Sequence, residues 1–384
     1  MTARRWQEAR RILAVRLDNL GDVLMTTPAL QAIRQSAPGA HLTLLASHAG
    51  TLLLPHLPAV DDVIEHDAAW MKGGGSSVRD PAAERGLIDR LARRHFDAAV
   101  IFTVCTQSAL PAALACYLAG IPLRLAHSRE NPYDLLTDWV PDADVCRTGM
   151  RHEVQRQLDL VASVGFHALS HGLAFETRAS DRQAVRGRLA LAGIDPDRPY
   201  LLVHPGATAA SRRYPAERFG EAVRAIVART GCQVVLTGGA DERGLLAQIE
   251  HGLGPALSSQ ALALFGVLGL GELAALVADA AVLLCNNSGP AHLAAALGTP
   301  SVVLYALTNP QHTPWQARAR VLNHDVPCRN CLKSTCPLGH HDCLRGVAAT
   351  QVADAAIELL RDARGPRLAT RDVEPTPAQR VAMP

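Results

Sequence analysis

Four segments of the chain gather residues with chemistry to offer. The first is Arg16–Asp22, RLDNLGD, where Asp22 follows Gly21. A glycine lets another molecule come close to the backbone, and a carboxylate beside it can take a proton from an attacking hydroxyl. The bland alternative is that Asp22 only caps or turns the chain. The second is His204–Pro215, HPGATAASRRYP, a Pro-Gly turn at Gly206 followed by the Thr208 and Ser211 hydroxyls and by Arg212 and Arg213. Backbone amides and a guanidinium are what a diphosphate needs; a surface loop with solvated arginines has the same composition. The third is Cys285–His292, CNNSGPAH, in which Ser288 and Gly289 would open a helix whose dipole favours anions. His292 falls in its first turn, as a ligand group or as a packed histidine. The fourth is Cys328-x2-Cys331-x4-Cys336-x6-Cys343, with His340 and His341 inside it. Four thiols this close suit tetrahedral zinc or an iron–sulfur cluster, against reduced thiols or a local disulfide.

The first three segments follow apolar runs that read as strands. RILAVR (Arg11–Arg16) precedes the first, YLLVH (Tyr200–His204) the second and AVLLC (Ala281–Cys285) the third. His41–Ala46, Ala98–Phe102, Gln233–Thr237 and Ser301–Tyr305 are further strands. Between them lie helical patterns, including Thr27–Gln35 with Thr27 as N-cap and Pro28 at its first position, Arg151–Gly165, Ala216–Thr230 and Gly289–Leu297. Residues 18–23 read as a polar turn, 72–80 as a flexible loop and 364–384 as a disordered tail. Strand–helix alternation in both halves predicts an α/β chain with parallel sheets covered by helices on both faces. The break between halves falls within 168–195.

Composition excludes several classes. The chain has 384 residues, room for two or three domains, and Lys+Arg 38 against Asp+Glu 36 leaves a net charge of +2. With 4% aromatics as well, neither a global electrostatic field nor stacking platforms argue for nucleic acid. After the basic MTARRWQEAR the apolar run Ile12–Val15 is too short for a signal peptide, and Ala109–Leu123, broken by Pro111 and Pro122, is too short to span a bilayer. The expectation is a soluble cytoplasmic protein. Two further motifs read as decoys. Gly269-x-Gly271-x-x-Ala274 lacks the acidic residue of a dinucleotide site and reads as a plain helix entry. Asp142 and Asp144 read as solvated loop aspartates rather than metal ligands.

Taken in order, RLDNLGDVLMTTPAL, HPGATAASRRYPAERF, LTGGADE and NNSGPAHLAAALGTPSVVLY resemble glycosyltransferase family 9, the bacterial heptosyltransferases of lipopolysaccharide core assembly. The resemblance runs to about residue 360, and the Cys-rich segment looks like one found in many members. It implies a GT-B architecture, two Rossmann-like domains with parallel sheets facing a central cleft. An acceptor-binding domain would occupy 1–175 and a nucleotide-sugar-binding domain, with the Cys-rich segment 328–343, would occupy 176–350. A helix at 349–362 would cross back to the first domain. The resemblance implies an inverting transfer that needs no metal, from an ADP-heptose-like donor to a lipid-linked core saccharide at the cytoplasmic membrane face, with peripheral membrane contact. Asp22 matches the family's general base. Arg212 matches a basic residue, often Lys, that stabilises the departing diphosphate. Gly206, Thr208 and Ser211 fall in the phosphate-binding loop, Asp241 or Glu242 approaches the ribose, and Ser288, Gly289 and His292 match the donor-binding helix start. Asn287 departs from the Asp of many members: an amide keeps hydrogen bonding but loses charge. Cys328, Cys331, Cys336 and Cys343 would hold a structural zinc or iron–sulfur group, with no cofactor in the chemistry. Two other classes stay open: a nucleotide-sugar epimerase or hydrolase on the same scaffold, and a non-catalytic sugar-nucleotide-binding protein.

Overall fold

Strands buried on both faces carry near-continuous apolar runs, and RILAVR and YLLVH meet that requirement. In a computed structural model, which describes residues 2–72, 80–144, 150–258 and 261–363, they begin two six-stranded sheets. The first holds β1 (Arg11–Arg16), β2 (His41–Ala46), β3 (Asp62–Glu65), β4 (Ala98–Ile101), β5 (Leu123–Ser128) and β6 (Asp138–Pro141) in the order β3-β2-β1-β4-β5-β6. The second holds β7 (Tyr200–His204), β8 (Gln233–Gly238), β9 (Leu262–Phe265), β10 (Val282–Asn286), β11 (Ser301–Leu304) and β12 (Ala319–Leu322) in the order β12-β11-β10-β7-β8-β9. All neighbouring pairs are parallel.

Counted from its own first strand, each half has the same order. Chain direction across the sheet reverses between β1 and β4, paired Val15 to Ile101, and between β7 and β10, paired His204 to Cys285. In open α/β sheets ligands sit outside the carboxyl ends of the strands at such points. The segments after β1, β7 and β10 are the three chemical segments singled out above.

The helix after β1 runs over Leu20–Ser36, starting seven residues before the expected Thr27. Asn19 is its extended N-cap, and the Asp22 carboxylate accepts from the Asn19 amide at 3.3 Å. Pro28 lies inside this helix and cannot donate to the Leu24 carbonyl. The Thr27 hydroxyl donates there instead, at 2.7 Å, and accepts from the Ala174 amide at 2.9 Å. Thr27→Val would orphan both buried groups, and a loss of about 2 kcal/mol is expected in urea unfolding.

Two other expectations need correction. The Asp142 and Asp144 side chains are buried, not solvated: Asp142 pairs with Arg156 at 3.0 Å and Asp144 with Arg151 at 2.7 Å. A buried guanidinium such as Arg156 requires carboxylates, which draws the loop inward. The C-terminal helix, Ala349–Ala363, expected to cross to the first half, lays Val352, Ala356, Ile357 and Leu360 onto the second half's core among the described residues. Its ion pairs with Arg229, Arg318 and Arg320 also stay within the second half. Gly269 is a plain helix entry, as expected, with Glu272 accepting from its amide at 3.0 Å. The loop read at 72–80, apart from its ends, and the tail read at 364–384 lie outside the described residues.

Candidate active site

Two helix N-termini meet where the sheets face each other. One opens the Leu20–Ser36 helix after β1; the other opens the Gly289–Leu297 helix after β10, with Ser288 as N-cap. The contact needs a glycine. A Cβ added to Gly21 would stand 2.9 Å from His292 Cδ2 and 3.8 Å from the Gly289 Cα. Asp22 sits in the first turn of the first helix and His292 in that of the second, so the candidate base and the donor-side motif share one junction. Both first turns present the positive end of a helix dipole.

Arg16, fully buried at the end of β1, organises the carboxylates here. Its Nε lies 3.0 Å from Asp18 Oδ2, its Nη1 donates to Glu153 Oε1 at 3.0 Å, and its Nη2 lies 3.5 Å from Asp22 Oδ1. Glu153 is itself fully buried and also accepts from Gln157. Burial would raise the Asp22 carboxyl, but Arg16, helped by His312, His292 and Arg212, holds it below the usual carboxylate range. Asp18 goes the other way: burial outweighs Arg16 and pushes it up to about 6. The two carboxylates thus differ in proton affinity although they share one guanidinium.

From the second half, the loop after β7 brings Arg212 within electrostatic reach of Asp22. The loop is held by Asn286 at the end of β10, whose Nδ2 donates to the Pro205 carbonyl at 2.6 Å and whose Oδ1 accepts from the Tyr214 amide at 3.0 Å. Thr208 is exposed on this loop. Ser211 is buried, and its hydroxyl donates to the Lys333 carbonyl at 2.7 Å, so it anchors the loop to the Cys-rich segment. Glu242 lies over Gly206: a Cβ there would be 2.0 Å from its Oε1. The Glu242 carboxylate accepts from the Gly239 amide at 2.9 Å and stands 3.9 Å from His204 Nε2. Asn287 is buried, with its amide on the Leu304 carbonyl, and Ser288 Oγ donates to the Asn286 carbonyl at 3.3 Å.

Three groups around Asp22 were not singled out from the sequence: Arg16, Glu153 and His312. An arginine closing an apolar strand is a signal for Arg16, because a buried cation must find carboxylates. His312 belongs to a loop with no periodicity to mark it. That loop is fastened to the first half by Gln311 Nε2 donating to the Arg151 carbonyl at 2.9 Å. His152 Nε2 adds a bond to the Thr313 carbonyl at 2.8 Å. The His152 Nδ1 accepts from the Val154 amide at 3.1 Å, which fixes the neutral tautomer.

In the Cys-rich segment, Cys343 lies within electrostatic reach of Cys328, Cys336 and Cys331. Among the described residues no set of three or more His, Cys, Asp or Glu side chains stands as one could around a metal ion, and Cys328, Cys331, Cys336 and Cys343 are free thiols. Cys328 Sγ approaches His340 Nε2 at 3.7 Å. Burial would raise the Cys336 thiol, but the amides of His341, Leu338, Gly339 and His340 hold it below its usual range. The segment touches the loop after β7 through Ser211, the Leu307 and Thr308 carbonyls through the Asn330 and Leu332 amides, and the first half through Lys72, whose Nζ donates to Ser334 Oγ at 2.7 Å.

The buried histidines set an acid sensitivity. Burial lowers His292 from 6.5 to about 3, and it lowers His312, His204 and His152 as well. The unfolded chain takes up these protons first, so stability is lost as pH falls below about 6.5, at about 1.4 kcal/mol per unit for His292. Asp18 opposes this between about 6 and about 4, because there the folded chain binds the proton first. The urea midpoint should fall between pH 7 and pH 5, and less steeply in His292→Asn. An unchanged slope would mean that His292 titrates normally when folded.

The family model for glycosyltransferase family 9 (heptosyltransferase) matches residues 85–341. Lipopolysaccharide heptosyltransferase 1 of Pseudomonas aeruginosa is 28% identical over 85% of this chain and 87% of its own length. Lipopolysaccharide heptosyltransferase 2 of Escherichia coli is 24% identical over 91% and 98%. Among solved structures, the family 9 glycosyltransferase of Veillonella parvula superposes with a TM-score of 0.74 at 23% identity, covering 92% of this chain and 97% of that one. The E. coli ADP-heptose lps heptosyltransferase II gives 0.72 at 22% identity, covering 92% and 99%. These two likenesses make the paired parallel sheets a GT-B fold. With a matched region that takes in the second sheet, the loop after β7 and the helix after β10, the chain belongs to glycosyltransferase family 9, the heptosyltransferase family.

Proposed function

We propose that this chain transfers a heptose from a nucleoside-diphosphate donor of the ADP-heptose kind to a hydroxyl of a lipopolysaccharide-core acceptor, with inversion at the anomeric carbon. The observation that carries the reading is the placement of Asp22 and Arg212. A carboxylate held ionised by Arg16 on one half lies within electrostatic reach of a guanidinium on the other, at the junction of two helix N-termini.

In the proposed step the acceptor oxygen bonds to the anomeric carbon as the bond to the diphosphate oxygen breaks. The hydroxyl proton passes to Asp22, and the electron pair leaves with the diphosphate. Arg212 and the positive end of the Gly289–Leu297 helix dipole oppose the negative charge that develops there. A single displacement from the opposite face inverts the centre. The donor would lie on the second half, with its diphosphate between the Gly206–Arg212 loop and Ser288–His292 and its ribose towards Glu242. The acceptor would lie on the first half. This chemistry routes no step through a metal. A lipid-linked acceptor would be met at the cytoplasmic membrane face by peripheral contact; among the described residues no helix is long and apolar enough to cross a membrane.

The test is transfer from ADP-heptose to heptose-deficient core oligosaccharide in the presence of chelator. The expected product gains one heptose, and its anomeric coupling in NMR shows inversion. Retention, or donor breakdown that ignores the acceptor, would overturn the proposal.

A further inference from the structure

The reversal point of the first sheet opens onto a crevice that the proposed transfer step does not use. It has a volume of about 260 Å³ and is walled by the apolar ends of β1 and β4. Asp18, Trp70, Thr106, Gln107 and Ser108 also line it. The volume lies below the ~300–1,000 Å³ of pockets for drug-sized ligands and suits one sugar ring. It adjoins the candidate base through Arg16, which lies 3.0 Å from Asp18 Oδ2 and 3.5 Å from Asp22 Oδ1.

The lining has the chemistry of a sugar site. Half-buried Trp70 offers an aromatic face for the C–H side of a pyranose. Gln107 Nε2 donates to Asp18 Oδ1 at 2.6 Å, which orients both planar groups and leaves acceptor lone pairs and a second N–H for sugar hydroxyls. Thr106 is an exposed hydroxyl on the same rim. Charge narrows the choice further. Among the described residues no Lys, Arg or His lines the crevice, and the buried Arg16 beside Asp18 is shared among Asp18, Asp22 and Glu153. Ser108 donates to Glu130 at 3.1 Å, which puts another carboxylate beyond the rim. A carboxylate or phosphate on the sugar would meet Asp18, whose counter-ion Arg16 is already divided among three carboxylates.

We propose that this crevice is the acceptor subsite and that it selects a neutral, hydroxyl-rich sugar residue over an acidic one. The word acceptor rests on the transferase reading; the sugar site does not.

The test uses the full chain saturated with ADP at pH 7.5. The probes are the methyl glycoside of a heptose and the same glycoside carrying a carboxylate at C7, with affinities from NMR saturation transfer. The neutral glycoside is expected to bind at least tenfold tighter, an order of magnitude set by like-charge repulsion. Trp70→Ala and Gln107→Ala should each weaken it, Trp70→Ala by about tenfold. Asp18→Asn should narrow the discrimination by admitting the acidic probe. ADP affinity should not change in any of the three. Equal binding of the two probes by the wild type would overturn the proposal, as would neutral binding that survives both Trp70→Ala and Gln107→Ala. If Asp18→Asn fails to fold, those two variants decide alone. Probe binding as expected in a chain that does not bind ADP would support the subsite and overturn the transferase reading instead.

Discussion

Asp22→Asn should lower turnover by about a thousandfold, within the ~10²–10⁴ that a positioned general base contributes, while ADP binding measured by calorimetry stays unchanged. Asparagine keeps the shape and can still accept from the Asn19 amide, which the carboxylate does at 3.3 Å. Arg16 keeps Asp18 and Glu153 as partners, so the substitution does not strand a buried cation. What disappears is the capacity to hold a proton. The wild-type rate should also stay level from pH 8 down to pH 5, because Asp22 is held below the usual carboxylate range and remains ionised there. A rate limb centred near pH 6 would instead identify Asp18 as the titrating group, since its carboxyl lies at about that value. Such a weak base is adequate, because the hydroxyl becomes acidic only as its oxygen bonds to the anomeric carbon.

Arg212→Ala should cost about 10²–10³ in turnover, the scale for removing one group that stabilises developing charge, and should weaken ADP binding as well. Arg212→Lys should recover most of both, since a departing diphosphate can be met by a point charge. Recovery by lysine separates an electrostatic role from a packing role, which lysine would not restore. A third outcome, loss of turnover with full ADP affinity, would place the interaction in the transition state alone. Single-turnover rates beside calorimetric affinities distinguish these cases.

The strands were legible because burial on both faces of a parallel sheet forces nearly unbroken apolar runs. Tyr200–His204 and the Gly289–Leu297 helix were read to the residue. The segments following β1, β7 and β10 were legible for a related reason: polar, glycine-bearing turns stand out between such runs. The start of the Leu20–Ser36 helix was not, because Pro28 reads locally as a first-turn residue. Its tolerance inside the helix depends on the Thr27 hydroxyl taking over the Leu24 carbonyl. Asp142 and Asp144 were misread because their partners, Arg156 and Arg151, lie 14 and 7 residues on, in and just before the Glu153–Ala162 helix, and only the fold turns that helix back onto the loop. His312 was invisible for the same reason: its importance comes from a loop fastened across the two halves by Gln311 and Thr313. The cysteine spacing is a local signal, and Cys343 does lie within electrostatic reach of the other three thiols; the segment's contacts with the loop after β7 and with Lys72 come only from the fold.

The meeting of two helix N-termini at Gly21 and His292 has a mechanical consequence. Each end carries roughly half a positive charge, so two like poles are pressed together, with the Asp22 carboxylate beside them. Each half therefore repels the other at the place where they touch most closely. An anion lodged there cancels both poles at once and turns the seam from a strained joint into a clasp. The diphosphate proposed to bind between the halves would then be a fastener as well as a leaving group. Its departure would restore the opposition of the two poles, so release of the spent nucleotide would favour parting of the two halves.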